Sequence, residues 1–206
     1  MNHTNVCNFY IYSCLRRKSI ALLSVSKESN ITLQRTLATS FECSTISPLD
    51  ADTFVISTAN HLRPVRTITI QGKKGDIQHR LLPDKTYTTK NSACTYLPST
   101  KTLVFVDASQ HTVYMCDITS RDGHVINNDN IRSPRGVCAG PAGTVFVCSS
   151  NTNSIVQLSR DGQVLMTYEA GMLYPRALSL SKDGTHLVVS NSHVDNFKIK
   201  LFKISS

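Results

Sequence analysis

Residues 134–158 read PRGVCAGPAGTVFVCSSNTNSIVQL, and residues 175–202 read PRALSLSKDGTHLVVSNSHVDNFKIKLF. Both open on Pro-Arg and run through a short apolar stretch into a Gly-bearing turn. Both then climb through a β-branched run, cross a polar Ser/Asn/His loop and end in a further apolar run. In the first copy Gly136–Ala139, Thr144–Cys148, Ile155–Leu158 and Gln163–Tyr168 read as strands, with turns at Gly140–Gly143 and Ser159–Gly162. In the second, Ala177–Leu180, Thr185–Val189 and Lys198–Phe202 occupy the matching places. Alternation and turn chemistry of this kind, with no helical period between the runs, predict short antiparallel strands.

The pattern extends upstream. Leu103–Val106, Asp107–His111 and Val113–Cys116 form an earlier copy in which Val106 falls where Cys148 falls. Thr53–Ile56, Ser57–Arg63 and Val65–Ile70 form a looser one, and Ser19–Val25 reads as the late strand of a still earlier unit. A period of roughly 40–45 residues holding four short strands is the signature of a β-propeller blade. One blade cannot bury both of its faces, so neighbours must stack around an axis. The expected fold is all-β, an incomplete propeller of about four to five four-stranded blades. Residues 1–40 are an N-terminal segment and partial blade, and residues 41–206 are the blades proper. Open edges at the ends of such an arc favour self-association.

Of the 206 residues, 40% are hydrophobic and 17% charged, which suits a globular chain rather than a disordered one. The formal net charge of +8 lowers the cost of meeting an acidic partner without choosing among nucleic acid, protein and membrane surface. The seven cysteines, at 7, 14, 43, 94, 116, 138 and 148, include no C-x-x-C pair and lie mostly among apolar neighbours. They read as small core residues in a reducing compartment, not as zinc ligands. The early run VCNFYIYSCL is followed, not preceded, by Arg16, Arg17 and Lys18, and it is too short to span a membrane. A cytoplasmic protein is expected.

PRGVCAGPAGTVFVCSSNTNSIVQLSRDGQVL resembles an NHL repeat, and YPRALSLSKDGTHLVVSNS with IKLFKIS resembles the last repeat of such propellers. With CTYLPSTKTLVFVDASQHTVYMCD, the chain is similar to the C-terminal propeller of the tripartite-motif (TRIM) proteins of the NHL class, of the divergent invertebrate type. The resemblance implies a module that binds proteins or RNA. In that family, ubiquitin-ligase activity belongs to an N-terminal RING with B-box modules and a coiled coil. This sequence has no Cys/His cluster of that kind and no heptads. A non-enzymatic module without cofactor is therefore expected, binding a protein partner as the possible substrate-recognition part of a ubiquitination system. RNA binding through a basic rim is the alternative.

The loop leading into a blade's first strand and the loop between its second and third strands share one rim. Here that rim gathers Arg135 and Arg176 with Asn60, His61, Arg63, Gln110, His111, Asn151, Asn153, Asn191 and His193. Such side chains can donate to phosphates and base edges, and Arg can stack on bases. The competing reading is that Arg135 and Arg176 brace their blades structurally. Asp122-Gly123, Asp161-Gly162 and Asp183-Gly184 on the other rim read as tight turns needing positive φ, with calcium binding as the alternative. His61, His111 and His193 converging on zinc in a metal-dependent propeller enzyme is the remaining alternative.

Overall fold

The strands follow from alternation. In VFVCS (145–149) and TLVFVD (102–107) every side chain but Thr102 is buried, the mark of strands covered on both faces. The computed structural model describes residues 9–15, 18–26, 30–50, 53–58, 65–71, 74–78 and 93–204. These form five antiparallel sheets in chain order. The first holds β1 (Phe9–Leu15), β2 (Ser19–Val25) and β3 (Ile31–Ala38). The second holds β4 (Cys43–Pro48), β5 (Thr53–Thr58), β6 (Val65–Gln71) and β7 (Lys74–Gln78). The third holds β8 (Cys94–Leu97), β9 (Thr102–Asp107), β10 (Thr112–Asp117) and β11 (Gly123–Asn127). The fourth holds β12 (Pro134–Ala139), β13 (Val145–Ser149), β14 (Ser154–Leu158) and β15 (Val164–Glu169). The fifth holds β16 (Pro175–Leu180), β17 (His186–Asn191) and β18 (Ile199–Lys203). No helix among the described residues is long and apolar enough to cross a membrane.

The first strands β4, β8, β12 and β16 stand side by side, each sheet stacked on the next, which is the arrangement of a propeller. Close to the axis these strands are tied by small polar side chains. Thr45 Oγ1 accepts the Cys94 N–H at 2.9 Å, and Ser47 Oγ accepts the Tyr96 N–H at 3.2 Å. Between β12 and β16 the approach is closer still. A Cβ on Gly136 would stand 2.6 Å from the Arg176 carbonyl oxygen, so only glycine fits there.

Register shows which strands correspond. Cys148 pairs with Ile155, as Val106 pairs with Val113, Ser57 with Val65, Cys14 with Ile20 and Ser190 with Ile199. The Thr39 N–H donates to the Lys18 carbonyl at 2.8 Å, as the Ala170 N–H donates to that of Asn153 at 3.0 Å. The first sheet therefore consists of the second, third and fourth strands of a blade, and Ser19–Val25 is the late strand that its sequence predicts. The fifth sheet consists of the first three.

Each sheet buries a leading face against the trailing face of the next. Val104, Val106, Val113 and Met115 pack on Val145, Val147, Val156 and Leu158. One sheet along, Phe146, Cys148 and Ile155 pack on Leu187 and Val189. Full burial of one such side chain stabilises by about 1.5–3 kcal/mol. The series stops at the fifth sheet. Ile20, Val65, Val113 and Ile155 are 0%, 3%, 0% and 1% exposed, whereas Ile199 in the same place is 77% exposed. The leading face of the last sheet, with Val188 and Leu201, is uncovered.

Candidate functional site

Antiparallel pairing places the turns after β9, β13 and β17 on one rim with the segments leading into β12 and β16. Backbone bonds join them: Ser150 N–H to Ser133 O at 3.3 Å, Asn151 N–H to Arg132 O at 3.1 Å, and Ser192 N–H to Tyr174 O at 3.2 Å. Four non-glycine residues of these segments, His111, Ser133, Asn153 and Tyr174, have positive φ. Such conformations cost about 1–3 kcal/mol each and persist where surrounding contacts fix them.

Those contacts repeat from sheet to sheet. His111 Nδ1 accepts the Ser133 N–H at 2.9 Å, and Asn153 Oδ1 accepts the Tyr174 N–H at 2.9 Å. Asn191, 8% exposed, clasps its own loop: its Nδ2 donates to the Asn196 carbonyl at 2.9 Å and its Oδ1 accepts the Lys198 N–H at 2.8 Å. Asn151 is exposed. Arg135 and Arg176 are half-buried, each in the irregular opening of its first strand, where the register shifts past Pro134 and past Pro175. His61 and Arg63, with Asn60, lie outside the described residues.

Gln110, His111, Asn127, Asn128, Asp129 and Arg132 line an open, polar cleft of about 430 Å³. Arg132 is ion-paired there to Asp129, so its charge is already matched. The apolar part of the rim lies further along. Tyr174, 48% exposed, stacks on His193 with ring centroids 5.9 Å apart and planes 15° apart. Leu173 is 51% exposed, Val194 80% and Phe197 75%. His193 Nδ1 is buried and has no hydrogen-bond partner among the described residues. Sequence reading missed Tyr174, although its position before Pro175 matches that of Ser133 before Pro134.

On the opposite rim the aspartates shape turns. Gly162 and Gly184 have φ of 82° and 73°, as their Asp-Gly pairs predict, but at Asp122-Gly123 the positive φ falls on Arg121 and Gly123 begins β11. Hydrogen bonds from the Ser181 hydroxyl and the Thr185 N–H hold the Asp183 carboxyl down at about 2. N–H donation from Ser120 and Thr119 lowers Asp117. Burial pushes the thiols of Cys94 up to about 11 and Cys138 up to about 12, and raises Cys148 and Cys116. Among the described residues, no group of three His, Cys, Asp or Glu is placed to hold a metal ion.

No protein-family model matches the chain, and no curated protein does. Solved structures resemble it in fold. Hydrazine synthase from Kuenenia stuttgartiensis superposes with a TM-score of 0.63 at 19% identity, covering 80% of this chain and 47% of that one. The chain spans about half the length of that structure, and the likeness is one of fold.

Proposed function

We propose that the chain is a non-enzymatic recognition module of the TRIM-NHL type, seated in the cytoplasm, that holds a protein partner on the rim around Tyr174. The observation that carries this reading is the fixing of that side chain. The Tyr174 backbone is held by Asn153 on one side and by Ser192 on the other, its ring lies on His193, and Phe197, Val194 and Leu173 are exposed nearby. A large aromatic held in place before binding loses little freedom on association, the property of interface anchors. Contiguous exposed apolar side chains on a soluble domain mark interaction surfaces. In a ubiquitination system such a rim would select the substrate, with ligase chemistry supplied by another domain or chain. The likeness to hydrazine synthase supports the fold and brings no chemistry with it.

The test is affinity capture from cytosol with the wild-type chain and with a Tyr174→Ser, Phe197→Ser variant, followed by reconstitution of each captured protein with purified components. Proteins retained by wild type, lost from the variant and insensitive to ribonuclease support the reading. If instead the chain binds a random single-stranded RNA pool with steep salt dependence, and Arg135→Glu with Arg176→Glu abolishes this, the rim belongs to RNA.

A further inference from the structure

The third and fourth sheets each have a neighbouring sheet on both sides, and the polar cleft lies on the rim where they meet. The turn between β9 and β10 brings Gln110 and His111 to it, and the end of β11 brings Asn127. The segment running on to β12 brings Asn128, Asp129 and Arg132. Both walls are pinned. Asp107 Oδ1 accepts the N–H groups of Ser109 at 2.9 Å and Gln110 at 3.2 Å, which fixes the turn. Opposite, the Ile131 N–H donates to the Asn128 carbonyl at 2.9 Å, and the Arg132 N–H donates to Ser149 Oγ at 2.8 Å. Groups held in place before a ligand arrives lose little freedom on binding it.

The polar groups left over define the ligand. His111 Nδ1 accepts the Ser133 N–H, so the ring carries its proton on Nε2, a donor of fixed direction. Asn128 Oδ1 accepts the Asn130 N–H at 2.9 Å, which leaves its NH2 group to donate. The carboxamides of Gln110 and Asn127 are exposed, and each offers both a donor and an acceptor. Asp129 meets Arg132 through Oδ1 and one guanidinium nitrogen, so Oδ2 and the other N–H groups remain. An anion would have to displace Asp129 from Arg132, and the Asp107 carboxylate that fixes the turn adds a second negative charge. An apolar ligand finds only polar side chains to cover it. Hydroxyl groups both donate and accept, so adjacent hydroxyls can span a carboxamide, or the Arg132–Asp129 pair, with two bonds at a time.

The row behind Asn127 adds to the demand. Thr112 stands opposite both Asp107 and Asn127 in register, so the three side chains share one face of the third sheet. Asp107 Oδ2 and Thr112 Oγ1 are buried and have no hydrogen-bond partner among the described residues. Unpartnered groups of this kind are costly, and a ligand hydroxyl at the Asn127 end, or a water that it orders, would serve them.

We propose that this cleft binds a neutral saccharide through hydrogen bonds. Its volume of about 430 Å³ lies in the range of small-molecule sites and suits about one or two sugar rings. The site is separate from Tyr174 and does not depend on a protein partner there.

The test is backbone-amide NMR of the isotope-labelled full chain, titrated with glucose, mannose, N-acetylglucosamine and trehalose. At least one sugar is expected to give saturable shifts, with Kd on the order of 10 mM or tighter, centred on residues 108–112 and 127–133. The 6-phosphate of that sugar should bind no better, because Arg132 is engaged. Asp129→Ala with Arg132→Ala keeps the net charge and should weaken binding at least about tenfold. His111→Asn keeps an acceptor for the Ser133 N–H, removes the imidazole donor and should weaken binding as well. The dispersion of the remaining amide signals is the folding control for both variants. No saturable shift with any of the four sugars overturns the proposal. So do shifts centred elsewhere, or equal binding by the double variant. Tighter binding of the sugar phosphate would give the cleft to an anion and also overturns it.

Discussion

His111 Nδ1 accepts the backbone N–H of Ser133 at 2.9 Å, and one sheet along Asn153 makes the same bond to Tyr174. Both acceptors have positive φ and sit in the turn before a third strand. Both donors have positive φ and precede the proline that opens the next sheet. Two unlike side chains therefore do one job, tying the turn of one sheet to the start of its neighbour. An asparagine should replace the histidine. His111→Asn is expected to hold stability within about 0.5 kcal/mol, and His111→Ala to lose about 1 kcal/mol or more with the bond. Urea midpoints decide it: equal losses in the two variants would show that the bond is not what His111 contributes.

Asn153 carries the stronger prediction, because the bond it makes also positions the rim. Asn153→Ala forfeits about 1 kcal/mol for the unmade hydrogen bond and about 1 kcal/mol more because alanine resists positive φ. Asn153→Asp keeps the acceptor and should stay near wild type. If Tyr174 is an anchor held by this bond, Asn153→Ala should weaken partner binding by more than Asn153→Asp does. Binding and denaturation measured on the same samples separate the two effects.

Gly136 lies where β12 and β16 come closest. Gly136→Ala drives a Cβ against the Arg176 carbonyl oxygen, which belongs to the backbone of the next sheet and cannot swing aside. A loss of about 1–3 kcal/mol is expected. A variant as stable as wild type would mean that the two sheets stand further apart in solution.

The buried thiols predict their own silence. A thiol raised from 9.0 to about 11, as at Cys94, has roughly a hundredfold less thiolate at pH 8 than an exposed one. Alkylation mapped by mass spectrometry on the native protein should leave Cys94, Cys138 and Cys148 unmodified under conditions that label them fully in urea. Early labelling of Cys148 would show that the fourth and fifth sheets open readily.

Asp183 gives a pH dependence of defined sign. Its folded-state value, about 2, lies below the usual carboxylate range near 4. Its contribution is present above about pH 4 and is lost as pH falls through about 2. Asp183→Asn should therefore unfold at lower urea than wild type at pH 6, and the gap should close towards pH 2. A gap that is constant across that range would point to the turn geometry, not to the charge.

Most of the fold was legible because its signal is periodic. The match of Val106 with Cys148, read from spacing alone, is the structural register: each pairs with the second residue of a third strand. The outer strands KGDIQ and GHVIN are short and polar and carry no such signal. The loops that hold His111 and Asn153 were legible, but what these side chains do was not. Matching Asp107 to Ser57 is one residue off, because Ser57 corresponds in register to Val106; His61 itself lies outside the described residues. That His111 corresponds to Asn153 follows from backbone conformation and a hydrogen bond between neighbouring sheets, neither of which residue type reveals.

The uncovered face of the fifth sheet yields a contrast within one repeat. Ile155 and Ile199 hold the same register position, but Ile155 is sealed by the next sheet and Ile199 is open. Truncating a sealed isoleucine leaves a cavity and costs about 2–5 kcal/mol. Truncating an open one costs about 0.5 kcal/mol or less. Ile155→Ala should thus lower the urea midpoint far more than Ile199→Ala in dilute protein. If Ile199→Ala proves as costly as Ile155→Ala, the face is covered in solution. Repeating the comparison over a range of protein concentrations then identifies the cover. A cost that grows with concentration means that a second copy packs there, whereas a constant cost means that the first and fifth sheets of one chain have closed on each other.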